Sequence, residues 1–93
     1  MIDMKKYKEK AEKLKAIAHH HRLCIIKGLL DRECNVSKMQ ECLELPQSTI
    51  SQHLSKLRAT GISEGERNGI EINYKVIDEE IKSIVERLFE EQN

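Results

Sequence analysis

A chain of 93 residues, of which 39% are hydrophobic and 34% charged, is long enough for one domain and too apolar for a disordered segment. No apolar run approaches the roughly 18 residues of a transmembrane helix, and the N-terminus lacks the apolar region of a secretory signal, so we expect a cytoplasmic protein outside the membrane. The formal net charge is zero, whereas DNA-binding domains are usually basic. However, residues 1–27 are basic and residues 76–93 are acidic, so the charge is polarised.

The first two helices differ in their apolar patterns. Residues 5–18 place apolar side chains at spacings of four, three and four residues among six lysines, which predicts an amphipathic helix. Residues 21–30 are apolar almost all round and include Cys24. This pattern predicts a buried central helix in which the Cys24 thiol fills the core.

Two further helices are separated by a short turn. Residues 36–43 predict a short third helix, in which Ser37 and Gln40 fit a capping box. Pro46 suits the first position of a fourth helix over about residues 46–60, because the missing N–H of proline would be unpaired there in any case.

A hairpin and a last helix complete the chain. Over about residues 62–76 the pattern changes to period two, with Asn68-Gly69 as a type I′ turn and a strand of alternating Ile70, Ile72, Tyr74 and Val76. Asp78 can then cap a helix over residues 79–91, whose apolar stripe consists of Ile81, Ile84, Val85, Leu88 and Phe89.

The predicted order is therefore α-α-α-α-β-β-α within a single domain over residues 1–93. The third and fourth helices form a helix-turn-helix over about residues 36–60, and the hairpin behind them is a wing. The predicted fold class is mainly α (α+β), a dimeric winged helix-turn-helix.

The fourth helix has a polar outer face that suits DNA. Ile50, Leu54 and Leu57 cluster on one side and must face the core, with His53 beside them as a residue that packs and orients the helix. The other side carries hydroxyls, amides and cations, which can contact base edges and phosphates in the major groove. With one cation of the wing, the predicted DNA-binding residues are Gln47, Ser48, Thr49, Ser51, Gln52, Ser55, Lys56, Arg58 and Arg67.

A DNA-binding regulator has two alternatives from other function classes. An enzyme is excluded, because the chain has no glycine-rich phosphate loop and no nucleophile motif with a plausible base. A winged helix used only as a protein–protein interaction module remains an alternative. Its expected signature is an apolar or acidic outer face on the fourth helix, and the Ser, Gln and Lys side chains found there favour DNA.

Three segments resemble the ArsR/SmtB family of bacterial repressors. Residues 16–23 (AIAHHHRL) resemble the start of the family's second helix, and residues 47–58 (QSTISQHLSKLR) resemble its recognition helix. Gly61-Ile62, Arg67-Asn68-Gly69 and Tyr74 resemble its wing. The resemblance implies a homodimer built from the first and last helices, here about 5–18 and 79–91, bound to double-stranded operator DNA. The interface residues would be Tyr7, Ala11, Leu14, Ile81, Ile84, Val85 and Leu88.

The chain departs from the family at its usual metal sites. Many members hold metal through a Cys-x-Cys at the start of the third helix, where this chain has Asn35 and Ser37. Others use Asp and His on the last helix, which here offers carboxylates but no histidine. Sites made of carboxylates alone bind zinc weakly. We therefore expect no cofactor and no classical metal-sensing site.

Histidines and cysteines leave a sensor as the alternative function. Neighbouring residues of the run at positions 19–21 point in different directions, so the three adjacent histidines are not expected to chelate one ion. Cys34 and Cys42, if on one helix, would be about 12 Å apart, too far for a disulfide. Cys34 is expected to be the most exposed thiol. A thiol- or metal-responsive ArsR-type repressor remains the alternative.

Overall fold

The computed structural model describes residues 1–32 and 34–90, and within them the predicted order α-α-α-α-β-β-α is confirmed. Two antiparallel strands form the wing. No helix in this part of the chain is long and apolar enough to cross a membrane. The elements are α1 (Met4–Ile17), α2 (His20–Asp31), α3 (Val36–Leu43), α4 (Gln47–Ala59), β1 (Ser63–Asn68), β2 (Glu71–Val76) and α5 (Glu79–Leu88).

Helix α2 is the centre of the packing and contacts α1, α4, α5 and β2. It contributes Ile25, Ile26 and Leu29 to the buried core. The prediction of a helix buried all round was wrong on one side, because Cys24 and Gly28 are exposed. The core is completed by Ala16, Ile17, Met39, Ile50, Leu54, Leu57, Ile62, Ile81 and Val85.

Side chains cap the first backbone amides of several helices. The Asp78 carboxylate accepts a hydrogen bond from the Ile81 N–H at 2.9 Å, as predicted for α5. Helix α3 differs from the prediction: its cap is the Asn35 side chain, which accepts from the Lys38 N–H at 3.0 Å, and not a Ser37–Gln40 capping box.

The turn between α3 and α4 is three residues long. Helix α3 ends at Glu44, whose backbone is left-handed at φ 55° and ψ 43°. Pro46 is the N-cap of α4 and not its first helical residue as predicted, so the helix begins one residue later, at Gln47. The Pro46 carbonyl accepts from the amides of Thr49 and Ile50. Proline suits this position because its fixed φ directs the chain into the helix.

Helix α4 ends in a glycine motif that leads directly to the wing. Gly61 has φ 75°, which glycine adopts without strain. Its N–H bonds to the Arg58 carbonyl and the Ile62 N–H bonds to the Leu57 carbonyl, both at 3.0 Å, so the last carbonyls of the helix are paired. Ile62 is then buried at the base of β1.

The wing turn is shifted by one residue from its prediction. Asn68 pairs with Glu71, so the two turn residues are Gly69 and Ile70. Only Gly69, the first of them, has a positive φ. That pattern belongs to a type II′ turn and not to the predicted type I′ turn. Ile70 therefore lies at the tip, almost fully exposed, and not in the apolar strand.

Candidate nucleic-acid interface

The two faces of α4 are divided as its sequence predicts. Ile50, Leu54 and Leu57 are buried in the core and fix the helix in place. Thr49 lies at the edge and is half-buried. The exposed face carries Gln47, Ser48, Ser51, Gln52, Ser55, Lys56 and Arg58.

These exposed side chains are not used to hold the protein together. Within residues 1–32 and 34–90, no side chain of the predicted DNA-binding set forms a hydrogen bond or an ion pair with the rest of the chain. A ligand would therefore not have to break internal contacts to reach them. The only charges on α4 are the cations Lys56 and Arg58, which suits a phosphate backbone.

The wing adds one cation and partly neutralises its own acids. Arg67 is exposed near the tip. Lys75 on β2 lies 3.7 Å from Glu64 and 3.9 Å from Glu66 on β1. These contacts offset, in part, the repulsion that the acidic first strand would exert on phosphate.

Strand β2 of the wing is hydrogen-bonded to the start of the helix-turn-helix. The Tyr74 N–H donates to the Cys34 carbonyl at 2.9 Å. The Asn35 side chain donates to the Glu71 carboxylate at 3.1 Å. These two contacts hold the wing against the start of α3. Because only three residues separate α3 from α4, the contacts also limit how far the wing can move relative to α4.

A cluster of imidazoles joins the start of α2 to α4, and sequence reasoning missed it. His53 lies with its ring centroid 4.8 Å from that of His19 and 5.7 Å from that of His21. Arg22 approaches His53 Nδ1 at 3.4 Å and also donates to the Ala16 carbonyl. His53 thus contacts α2 and orients α4. The sequence did not predict the cluster because the histidines at positions 19–21 are more than thirty residues away from His53 along the chain.

The environment of this cluster disfavours protonation. Desolvation lowers the pKa of His53, and the nearby His19 and Arg22 lower it further. Desolvation also lowers the pKa of His19, with Arg22 as the next cause. Both imidazoles are therefore held in their neutral form at neutral pH.

The residues predicted for the dimer interface fall into two groups. Ile81 and Val85 are buried in the core of the protomer, so their placement at the interface needs correction: they face inward and present no surface to a partner. The others remain exposed on α1 and α5, namely Tyr7, Ala11, Leu14, Ile84 and Leu88. Within the protomer, Lys13 and Lys10 pair with Asp78 and Glu80, so the basic α1 contacts the acidic start of α5.

The cysteines differ from their predictions. Cys24 is exposed and does not fill the core, whereas Cys34 is half-buried and is not the most exposed thiol. Cys34 precedes α3 and Cys42 is in its last turn, so the distance expected for a single helix does not apply. All three line one apolar hollow beside Phe89. Burial raises the pKa of the Cys34 thiol, and Cys42 adds to the rise, so this thiol is not activated.

Known proteins share this architecture. Residues 19–62 match the family described as bacterial regulatory protein, arsR family. The transcriptional repressor PagR of Bacillus anthracis is 36% identical over 88 residues, which span 94% of this chain and 88% of PagR. The crystal structure of PagR has a TM-score of 0.83 at 36% identity and covers 92% of this chain and 99% of that one.

The transcriptional activator HlyU of Vibrio cholerae is 39% identical over 75 residues, which span 81% of this chain and 69% of HlyU. Its structure has a TM-score of 0.85 at 34% identity and covers 91% of this chain and 96% of that one. A homodimeric winged helix-turn-helix DNA-binding domain from Mycobacterium bovis has a TM-score of 0.83 at 24% identity, covering 91% and 79%, and supports the fold alone. With relatives this similar along most of its length, the chain belongs to the ArsR family of bacterial regulatory proteins and is a winged helix-turn-helix transcriptional regulator.

Proposed function

We propose that this regulator is a cytoplasmic repressor that binds a two-fold symmetric DNA operator as a homodimer. The observation that carries the proposal is the outer face of α4, whose polar and cationic side chains are exposed and free of internal partners within the described chain. Such a face, held by a buried inner face and preceded by a tight turn, suits insertion into the major groove.

The residue types suggest a division of roles. Gln52 and Gln47 can form paired hydrogen bonds with adenine, and the serines can contact base edges or phosphates. Lys56, Arg58 and Arg67 supply the charge that attracts phosphate without reading sequence. Because the cations are few and the net charge is zero, affinity for non-matching DNA should be modest.

A homodimer is supported by the apolar side chains that the protomer leaves exposed. Tyr7 and Leu14 on α1, with Ile84 and Leu88 on α5, face solvent in the single chain. Two copies joined there would present two α4 helices to DNA half-sites about 34 Å apart, one helical turn of DNA. PagR, which is 36% identical to this chain, is named a repressor, which agrees with the proposed direction of regulation.

The test is fluorescence anisotropy of the protein with duplex DNA from its own upstream region, with a shuffled duplex as competitor. We expect binding to the upstream duplex that survives the competitor. Gln52→Ala should weaken it by about 1–3 kcal/mol for each half-site, since each protomer of the proposed homodimer loses one base contact. Equal, weak binding to both duplexes would contradict the proposal and favour a protein-interaction module.

A salt series separates base contacts from phosphate contacts. Lys56→Ala should reduce the slope of log affinity against log salt by about 1.8, because each of the two protomers neutralises one fewer phosphate and each phosphate accounts for about 0.9. Lys82→Ala, which removes an exposed cation from α5, is the matched control and should leave the slope unchanged. Equal slopes for the Lys56→Ala variant and the unchanged protein would remove Lys56 from the interface.

A further inference from the structure

Three histidines from two helices converge beside the recognition helix. His19 caps α2 and His21 is in its first turn, while His53 is in the middle of α4. Each offers a ring nitrogen, and these three nitrogens all lie within 4.8 Å of one another. All three residues are half-buried, so an ion could reach them from solvent and still be partly enclosed.

We propose that His19, His21 and His53 form a binding site for a divalent transition-metal ion of the zinc class. Three imidazoles are a ligand set that Zn(II) accepts, with water at the fourth position. At Zn–N distances of about 2.0 Å, tetrahedral ligand nitrogens are about 3.3 Å apart, so the rings must close by about 1.5 Å at most. Small side-chain rotations supply such a movement. The ligand group contains no carboxylate, which disfavours Mg(II) and Ca(II).

His20 is left outside this site although it lies between two of the ligands in sequence. Its ring stacks on His19 at 4.9 Å and is exposed, but it is not part of the group whose nitrogens converge. The three adjacent histidines are therefore not proposed as one ligand set. The third proposed ligand is His53 from α4, and not His20.

A metal ion at this site competes with two hydrogen bonds, one between α2 and α4 and one at the start of α2. Arg22 can only donate, so the Nδ1 of His53 must accept in their 3.4 Å contact. An ion on Nδ1 takes that lone pair, and an ion on Nε2 moves the ring proton to Nδ1. In either case the contact between Arg22 and His53 is lost.

The same reasoning applies to the cap of α2, where His19 Nδ1 accepts from the His21 N–H at 3.1 Å. The metal-bound and metal-free junctions therefore have different contacts. Because His53 follows Gln52 on α4, the change occurs next to a residue of the proposed DNA-reading face. The effect on DNA rests on the proposed function, whereas metal binding itself does not.

The first experiment measures metal binding alone. Chelator-treated protein is titrated with Zn(II) in competition with a chromophoric indicator, and with Co(II) as a spectroscopic probe. We expect one ion per protomer and the visible bands of tetrahedral Co(II), without the near-ultraviolet bands of thiolate ligation. His21→Ala should weaken Zn(II) binding by about tenfold or more, because losing even a partner of a ligand has that effect.

His20→Ala is the matched control, since it removes a neighbouring imidazole that lies outside the site, and it should bind Zn(II) as the unchanged protein does. His21→Ala is the better test variant because the His21 side chain makes no hydrogen bond within the described chain. Thiolate bands, or equal loss in the His20→Ala and His21→Ala variants, would overturn the site.

The second experiment measures DNA binding by anisotropy with and without one equivalent of Zn(II) per protomer. We expect the affinity of the unchanged protein and of His20→Ala to change by about fivefold or more, a usual size for coupling between two sites. His21→Ala should show no change. Metal binding without any effect on DNA would leave the site but overturn the coupling. Absence of DNA binding would contradict the proposed function and leave the metal titration valid.

Discussion

Gly65 is a single residue on which the wing depends. It lies in β1 opposite Tyr74, and a Cβ at this position would lie 2.7 Å from Cγ2 of Ile72 and 2.9 Å from Cε1 of Tyr74. Gly65→Ala should therefore lower the free energy of unfolding by about 1–3 kcal/mol, the usual cost of overpacking. Urea denaturation measures it.

Gly28 provides the matched control for that substitution. It lies in α2 with ordinary helical backbone, and nothing stands within 4 Å of the place where its Cβ would be. Gly28→Ala should raise stability by about 0.5–1 kcal/mol, because alanine loses less backbone entropy in a helix. If Gly65→Ala raised the free energy of unfolding as Gly28→Ala should, the close approach of Ile72 and Tyr74 to Gly65 would not limit the residue at this position.

The histidine cluster predicts a pH dependence of stability. His19 and His53 have lowered pKa values in the fold, and the groups around them, His20, His21 and Arg22, are basic. The unfolded chain therefore takes up protons first, near the ordinary histidine pKa of about 6.5. Stability from these residues is complete above that pH and is lost as the pH falls through the folded pKa values.

Urea denaturation between about pH 7.5 and about pH 5.5 checks this prediction in a range where carboxylates stay ionised. His53→Gln should give a shallower dependence, because one of the two groups no longer titrates. A dependence as steep as that of the unchanged protein would mean that His53 is not responsible.

At the scale of elements, Asp78 joins two helices. Its carboxylate caps α5 at the Ile81 N–H and pairs with Lys13 of α1 at 2.5 Å. Burial alone would raise the pKa of Asp78, but the Lys13 ammonium and the Ile81 N–H outweigh it and hold the pKa below its ordinary value. The charged form is therefore the one that the fold stabilises.

Asp78→Ala should cost about 0.5–2 kcal/mol of unfolding free energy, the usual cost of losing a cap. Asp78→Asn retains an acceptor for the cap but loses the charge facing Lys13, so it should cost less. Chemical denaturation of both variants separates the two contributions. Equal losses would assign the whole effect to the ion pair.

The recognition helix was the most predictable element, because its apolar period, proline and glycine all agree. It was predicted over about residues 46–60 and extends over Gln47–Ala59. The start of α3 was harder, because Asn35 and Ser37 are both good caps. The contact between the Cys34 carbonyl and the Tyr74 N–H holds the chain extended just before Asn35, and so favours Asn35 as the cap. The start of α3 therefore depends on a strand that lies nearly forty residues further along the chain.

The candidate site shows the same limit. The outer face of α4 follows from one helical period, so its residues could be identified from the sequence. The meeting of His53 with His19 and His21 depends on how two separate helices pack, which no local pattern contains. The stripe of α5 is also divided by packing, because Ile81 and Val85 turn inward while Ile84 and Leu88 face outward.

At the scale of the whole molecule, the exposed apolar side chains of α1 and α5 predict association. Ile84 and Leu88 are 38% and 62% exposed in the single chain, and Tyr7 is 63% exposed. A domain this small gains from burying such a surface against a second copy. Ile84→Glu should place a charge there and shift the protein to monomers in sedimentation velocity, with weaker operator binding.

Lys82→Gln is the control for Ile84→Glu, because it changes the net charge by the same single unit at another exposed position of α5. It should sediment as the unchanged protein does. Monomers in all three proteins at the concentrations used for DNA binding would contradict the homodimer. If the unchanged protein and both variants were dimers, Ile84 would not lie in the dimer interface.

The short turn before α4 limits how the protein can respond to a signal. Glu44 has a left-handed backbone and Pro46 a fixed φ, so the joint between α3 and α4 has few torsional degrees of freedom left. We therefore expect α3 and α4 to move together as one rigid body. A ligand that alters DNA affinity would then shift the two helices together against α2 or against the second copy of the proposed homodimer. Hydrogen exchange should report the change at the amides of α2, while the Glu44 N–H, which donates to the Gln40 carbonyl at 2.8 Å, should exchange as before.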